Sequence, residues 1–420
     1  MSQLSAASIS TRCCVVGGGP AGMMCGLLLA RAGVDTVVLE KHADFFRDFR
    51  GDTIHPSTLE LMHELGILDR FLELPHQKVQ RVKAQVGDEL LQVADLSHLP
   101  TRCRFIAFMP QWDFLNFIAA QAAAYPAFSL RMRAEVTGLI EESGGVAGVR
   151  VQTADGPLEC RASLVVAADG RHSLVREAAG LTVDELGAPM DVLWLRLSHK
   201  PSDPAGIMGR FEAGRIFVMI DRGGHWQCGY VIPKGSFEAI QKNGLPGFRD
   251  AVAELAPFAR DRVGEIAAWD DVKLLTVRVD RLRQWYRPGL LCIGDAAHAM
   301  SPIGGVGINL AVQDAVAAAN ALAAPLRQGR ADIADLRRVQ QRREWPTRVT
   351  QRMQVAAQNR IVTPVLARSG PLRPARALRF LARSPLLQRL TARLIGLGAR
   401  PEHVETSAAA PAAPGSPGPR

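Results

Sequence analysis

The sequence predicts an α/β fold in which a parallel sheet is interrupted by an antiparallel β-sheet domain and followed by C-terminal helices. Three observations predict it. Residues 13–40 carry a strand, a glycine turn, a helix and a second strand in that order; two later apolar strands end in acid–glycine pairs at 169–170 and 294–295; and residues 186–280 alternate polar with apolar side chains. At 420 residues the chain exceeds the roughly 250–300 at which a single core stops growing, so two lobes are expected.

In TRCCVVGGGPAGMMCGLLLARAGVDTVVLEKH, Cys13 to Val16 reads as a short buried strand, Gly17-x-Gly19-x-x-Gly22 as a tight turn, Met23 to Ala32 as a helix and Asp35 to Glu40 as a parallel strand. Each glycine has its own task. Gly17 permits the turn, Gly19 lets the backbone approach a pyrophosphate, and Gly22 lets helix pack closely on strand. The pyrophosphate would sit at the helix N-terminus, where free N–H groups and the dipole favour negative charge. Glu40 ends the second strand, near the spacing of the acid that holds an adenosine ribose. This is a Rossmann-like dinucleotide fingerprint, and by itself it does not separate NAD from FAD.

Two further segments bear on that choice. LVVAADGRHSLVRE is an apolar strand ending in Asp169-Gly170, and GLLCIGDAAHAMSPIGGVGINLAVQDAVAAANALA is another ending in Gly294-Asp295, followed by a glycine loop and a long helix. The three segments together resemble the hallmarks of the class A flavoprotein monooxygenases, the p-hydroxybenzoate hydroxylase-like family, over residues 10–350. The resemblance implies FAD and NAD(P)H as cofactors and a small aromatic substrate and O2 as partners. It implies hydroxylation of an aromatic or polyketide-like molecule through a flavin C4a-hydroperoxide.

It also assigns residues. Gly294 and Asp295 fall at the ribityl chain; Gly304, Gly305, Gly307 and Asn309 line the approach to the isoalloxazine; and the helix from Gly307 points its positive end at the pyrimidine side. Pro302 matches the proline whose carbonyl faces substrate, and Arg50 the arginine that contacts the FAD phosphates. Gln111 matches the polar residue that opens a helix beside the cofactor. Asp169 and Gly170 belong to the motif that serves both cofactors, which makes His172 and Arg176 candidates for the nicotinamide phosphates; a surface charge is the competing reading of Arg176. Asp52 falls where related phenol hydroxylases carry an active-site aspartate and is the acid–base candidate, with His55 assisting; a helix cap or an arginine-paired carboxylate competes for Asp52.

Residues 186–280, with MDVLWLRLSHK, GRIFVMIDRGGHWQCGYVIPKG and a hairpin turn at Gly223-Gly224, read as an antiparallel sheet with one wet face and one face on a substrate pocket. Trp194, Arg196, Arg210, Met219, Trp226 and Tyr230 are the pocket candidates, with core packing as the plainer reading of their alternation. The chain therefore divides into FAD-binding segments at 10–78, 109–185 and 281–333, substrate-domain strands at 79–108, the sheet at 186–280, C-terminal helices at 334–404 and a disordered tail at 405–420.

Composition excludes several classes. The net charge of +9 comes mostly from arginine in the C-terminal third, without the aromatic-interleaved patch of a nucleic-acid binder, and reads as a steering field for anionic ligands. Seven cysteines show no C-x-x-C pair, which argues against zinc and for a reducing, cytoplasmic setting. No run approaches the roughly 18 apolar residues of a membrane span. With three tyrosines in the chain, the phenol-gripping tyrosine pair of the type hydroxylase has no obvious counterpart, which favours a larger substrate than 4-hydroxybenzoate.

Three rivals remain. A flavin halogenase would place W-x-W-x-I-P tryptophans where Cys228 and Tyr230 precede Ile232-Pro233. A dehydrogenase or reductase without oxygen insertion shares the cofactor motifs, and a non-catalytic binder on this scaffold would lack flavin. The C-terminal helices cover the flavin domain by default, with a dimer contact or an anionic membrane as the alternatives.

Overall fold

The computed structural model describes residues 7–46, 53–204 and 208–409. At its centre, short runs of Val, Cys, Leu and Ala form strands buried on both faces, as a parallel sheet under helices requires. Strand Ala7–Val16 pairs in parallel with Gly156–Ala167 on one side and Thr36–Leu39 on the other; Leu290–Cys292 and Phe128–Arg131 extend the sheet outward. The register sets Val16 opposite both Ala167 and Leu39, and Ala167 opposite Cys292, so the carboxyl ends of these strands finish level. The first strand begins at Ala7 rather than near Cys13: its polar first half still pairs with Leu158–Ala162. That half is more exposed, so no apolar run marks it in the sequence.

The helices that cover this sheet are apolar on nearly every side. Helix Pro20–Arg31 buries every residue from Ala21 to Ala30 and packs on helices Gln111–Ala122 and Gly307–Arg327. The segment Ile303–Arg327 is the one described stretch long and apolar enough to cross a membrane, and 78% of its apolar window is buried in this core. Close packing needs Gly22, because an added Cβ would stand 1.9 Å from the Gly17 carbonyl oxygen. Gly17 itself has φ +104°, and a Cβ there would lie 2.5 Å from the Ala168 carbonyl oxygen.

The second sheet has seven strands, with Arg81–Val86 and Glu89–Asp95 joining Met190–Ser198, Met208–Glu212, Arg215–Asp221, His225–Pro233 and Lys273–Leu275. The hairpin at Arg222–Gly224 closes with Gly223 at φ +78°. Neither face is the wet one that alternation predicted. Leu193, Leu195, Phe217, Met219, Trp226, Cys228 and Tyr230 pack under helix Leu245–Leu255 and the turn Pro257–Glu265. Val192, Ile216 and Val231, with Trp194 and Phe211 partly buried beside them, cluster on the opposite face with Ile303, Val362 and Val365. Alternation marked the pleat correctly; each face has an apolar cover, although Arg196 and Lys273 stay exposed on the second.

C-terminal to the sheets, helices Ile333–Ala357, Arg376–Arg383 and Pro385–Gly396 lead into an extended segment. The tail reading fails for residues 405–409. Glu405 N donates to Asn320 (3.0 Å), Ala409 N to the Arg31 carbonyl (2.7 Å), and Arg31 to the Thr406 carbonyl (2.7 Å). A composition poor in apolar side chains concealed a segment held by its backbone; residues 410–420 lie outside the described residues.

We expect Gly22→Ala to destabilise the protein by about 1–3 kcal/mol, as overpacking of a tight contact does. Thermal unfolding of the variant against the parent checks it, and an unchanged midpoint would contradict the packing described.

Candidate functional site

Three loops leave the level strand ends and touch. Ala168 N donates to the Val16 carbonyl (2.8 Å), Ile293 N to the Ala167 carbonyl (2.9 Å), and Gly17 N to the Leu39 carbonyl (2.8 Å). Gly294 has φ +59°, and a Cβ on it would meet Ala21 at 2.9 Å and Ala311 at 3.3 Å, which draws the third loop against the first helix. Gly19 differs from its neighbours: nothing lies within 4 Å of where its Cβ would be. Helix Pro20–Arg31 opens there with no side-chain cap and no acid in its first turn, leaving N–H groups directed at open space.

Glu40 is held by two main-chain amides, Gly18 N on Oε2 (2.8 Å) and His42 N on Oε1 (3.0 Å). The carboxylate is buried and fixed beside the glycine turn. Asp169 Oδ2 accepts from Val175 N (3.2 Å), whereas Oδ1 is buried without a partner, and burial pushes this carboxyl above its ordinary range. An orphaned acceptor beside an open glycine loop fits a ligand rich in hydroxyls. Gly170 follows at φ +87° in open space. Asp295 is partly exposed, with Arg171 Nη2 at 3.5 Å.

The loop after Pro302 completes the arrangement. Gly304 (φ +80°) and Gly307 face open or nearly open space, while Gly305 is glycine for a different reason: a Cβ there would lie 2.5 Å from Thr53 Oγ1, which donates to the Gly305 carbonyl (2.6 Å). Pro302 is exposed, and its carbonyl accepts from Gly305 N (3.0 Å). Helix Gly307–Arg327 starts with neither side-chain cap nor first-turn acid, so its positive end faces outward. These glycines, uncapped helix ends and buried acceptors suit a flavin dinucleotide.

Several predicted residues are engaged differently from their sequence reading. Asn309 accepts from His55 N (2.8 Å) and Thr58 Oγ1 (2.7 Å) on Oδ1 and donates to the Thr53 carbonyl (3.1 Å), so its amide latches the loop to the segment after residue 52. His55 is fully buried; Nδ1 lies 2.7 Å from the Ile395 carbonyl, so in the neutral ring that nitrogen carries the proton. Arg176 is buried with its guanidinium on the Arg171 carbonyl (2.7 Å), the Ala296 carbonyl (3.3 Å) and Asp280 (3.6 Å), and it also borders the cleft that His172 lines. His172 lines a cleft of about 290 Å³ with Arg171 and Arg278. Gln111 opens helix Gln111–Ala122. Arg50 and Asp52 lie outside the described residues.

The pocket candidates separate by face. Paired register puts Arg210 with Phe217, Tyr230 and Leu193, and Met219 with Cys228 and Leu195. Arg210, Met219, Trp226 and Tyr230 therefore lie on the face under helix Leu245–Leu255, away from the flavin loop. Trp226 Nε1 donates to Asp203 there (2.8 Å), and Arg210 reaches the Leu255 carbonyl (3.2 Å). Trp194 and Arg196 are on the face that meets Ile303, and the Trp194 ring lies so close to Gly229 that a Cβ there would stand 3.1 Å from it.

Sequence reasoning missed two supports. Gln351 Nε2 donates to the Ala299 carbonyl (3.1 Å), Gln354 Nε2 to those of Ser301 and Ile303 (2.9 Å each), and Gln358 Nε2 to Ser301 Oγ (2.9 Å), fixing the loop from one helix face. Their 3, 4 spacing was a readable signal. Asp314, fully buried, accepts from Gly294 N (3.0 Å), pairs with His298 (2.6 Å) and with Arg343 (2.9 Å), and Arg343 continues to Glu402 (3.1 Å). Burial alone would raise the Asp314 carboxyl; its contacts with His298 and Arg343 outweigh that and hold it below its ordinary value.

This is a nucleotide-flavin site of an oxidoreductase. A family model for the FAD binding domain matches residues 10–353, and the chain belongs to that family, as an FAD-dependent monooxygenase of the p-hydroxybenzoate hydroxylase-like class. NAD(P)H is the usual co-substrate of the family. The chain is 33% identical over 390 residues to the 6-methylpretetramide 4-monooxygenase of Streptomyces rimosus, covering 91% of this chain and 92% of that protein. It is 28% identical over 318 residues to the dialkyldecalin synthase of Streptomyces rugosporus, covering 72% of this chain and 63% of that one. The p-nitrophenol 4-monooxygenase structure from Pseudomonas putida DLL-E4 shares the fold with a TM-score of 0.78 at 22% identity, over 94% of this chain and 100% of that one.

Burial lowers the His55 pKa from 6.5 to about 4, partly offset by the backbones of Ile395 and Gly305. Between those values the unfolded chain binds more protons than the folded one, so this stabilisation is complete above 6.5 and lost as pH falls toward about 4. On moving from pH 7 to pH 5, His55→Gln should lose about 2 kcal/mol less stability than the parent. Urea unfolding at both pH values reads it, and equal losses would contradict it. Arg343→Met removes the buried guanidinium that joins Asp314 to Glu402 and should cost about 3–5 kcal/mol in the same assay.

Proposed function

We propose that this monooxygenase hydroxylates a polycyclic, polyketide-like phenol held between the Trp194 face of the seven-stranded sheet and the loop 302–305. The observation that carries the reading is the convergence of three strand ends on an open glycine turn, with a second uncapped helix directed from the loop that Ile303 joins to the sheet. The relative at 33% identity acts, by its name, on 6-methylpretetramide, and the match runs along nearly the whole of both chains. The small number of tyrosines supports the same direction.

When bound, FAD would supply the redox chemistry by which NAD(P)H reduces dioxygen, one oxygen atom entering the substrate and the other leaving as water. The amides that open helix Pro20–Arg31 would hold the pyrophosphate, Glu40 the adenosine ribose, and Asp295 a ribityl hydroxyl. The positive end of helix Gly307–Arg327 would favour negative charge on a flavin ring placed before it. Trp194, over Gly229, forms an apolar wall that orients an aromatic substrate and excludes water. The Pro302 carbonyl faces that substrate, and Asp52 accepts the phenolic proton that activates the ring. The cleft of His172, Arg171 and Arg278 receives the nicotinamide cofactor's phosphates. Seven free, buried cysteines support a reducing, cytoplasmic location.

A second reading, flavin without oxygen insertion, is favoured by one finding, the similarity to a protein named as a synthase. Polycyclic phenols that accelerate NAD(P)H oxidation separate the two. The hydroxylase reading expects oxygen uptake matched by a product one oxygen atom heavier; full recovery of the oxygen as hydrogen peroxide, or product of unchanged mass, defeats it. In the same assay Trp194→Ala should raise KM at least roughly tenfold with FAD retained, because an aromatic wall of this size contributes about 1.5–3 kcal/mol. Tyr230→Phe, on the far face, should leave KM unchanged.

A further inference from the structure

The basic excess of this chain has one source. Residues 345–401 hold eleven arginines and no lysine, aspartate or glutamate, whereas the remaining residues hold 39 basic against 41 acidic side chains. The segment ends in helices Arg376–Arg383 and Pro385–Gly396. One side of this pair is seated: Ala392 and Leu397 pack with Ala94, Leu96 and Leu99, and a Cβ on Gly396 would meet Leu99 at 2.8 Å.

The other side is uncovered. Phe380 is 67% exposed, Leu386 74% and Leu390 61%, the two leucines one helical turn apart. Arg379 Nε holds Glu89 Oε2 at 3.0 Å, which sets helix Arg376–Arg383 beside the strand whose Leu90 is 65% exposed. Arg376, Arg383, Arg389 and Arg393 surround these apolar side chains and are themselves exposed; Arg389 reaches His98 (3.1 Å), and the other three have no ion-pair partner among the described residues. Between the last helix and the loop after Asp95 runs a groove of about 370 Å³ lined by Asp95, His98, Leu386, Arg389, Leu390 and Arg393.

Guanidinium forks pair with phosphate in two places, and apolar side chains at helical spacing between them match the boundary of headgroup and acyl chain. A second copy of the chain fits badly, because a two-fold interface would bring these arginines onto themselves. We propose that the helix pair is a peripheral docking face for an anionic phospholipid bilayer. Phe380, Leu386 and Leu390 enter the acyl boundary, and Arg376, Arg383, Arg389 and Arg393 take lipid phosphates.

The test uses the full-length, FAD-loaded protein with vesicles of phosphatidylcholine alone or mixed with phosphatidylglycerol. Cosedimentation should show at least roughly tenfold stronger partition onto the anionic vesicles at low salt, weakened by added salt. The double variants Leu386→Gln/Leu390→Gln and Arg389→Gln/Arg393→Gln should each lower it at least roughly fivefold, with FAD absorbance and thermal unfolding unchanged because the side chains are exposed. Equal partition onto the two vesicle types, or binding indifferent to both variants, overturns the proposal. So does a lipid-free dimer that both variants dissolve, which would assign the face to a second copy. Retention on immobilised polyglutamate equal to that on anionic vesicles and insensitive to the leucine variant would assign it to an acidic protein.

Discussion

The structure depends on main chain meeting main chain where parallel strands end. Val16, Ala167 and Cys292 finish at one level because their register is fixed residue by residue, and the loops beyond them have no room for side chains. Gly17 lies against Ala168 and Asp169, Gly22 against Gly17, and Gly294 against Ala21 and Ala311. These contacts form the floor of the site before any functional side chain is considered. Gly19 is glycine for no such steric reason: nothing lies within 4 Å of where its Cβ would be, so the bare backbone that opens the helix faces open space, the setting in which main-chain amides can meet an anion.

Around that floor the protein invests buried polarity in the loop from residue 294 to 309. Asp314 holds the Gly294 amide and is itself held by His298 and Arg343, so the position of the loop is tied to Glu402, near the end of the described chain. Gln351, Gln354 and Gln358 satisfy the carbonyls and the hydroxyl that an irregular loop exposes, and Asn309 ties its end to Thr53 and His55. An irregular backbone buried beneath helices needs every such partner, because each unmet polar group would cost about 1–3 kcal/mol. The C-terminal helices are thus part of the site's foundation, while their outer side carries the arginines.

The seven-stranded sheet shows how far alternation can be read. It located the pleat and the hairpin at Gly223, and it placed Trp194 and Arg196 on one face together. It did not reveal that the other face is covered by helix Leu245–Leu255, which made Met219, Trp226 and Tyr230 look equivalent to Trp194. Faces are labelled by period two; which neighbour covers a face is set by chain segments far away in sequence.

The sequence alone determined the parallel core, the three loops and their likeness to a flavin family, because glycine where a Cβ would collide and acid where a strand stops are local requirements. It also determined the split of charge, a matter of counting. Only the tertiary structure decided the employment of Asn309, His55 and Arg176, the existence of the Asp314 network and the ordering of residues 405–409. A polar side chain is satisfied by whatever partner lies within about 3 Å, and for these residues that partner comes from a segment whose proximity no local pattern encodes.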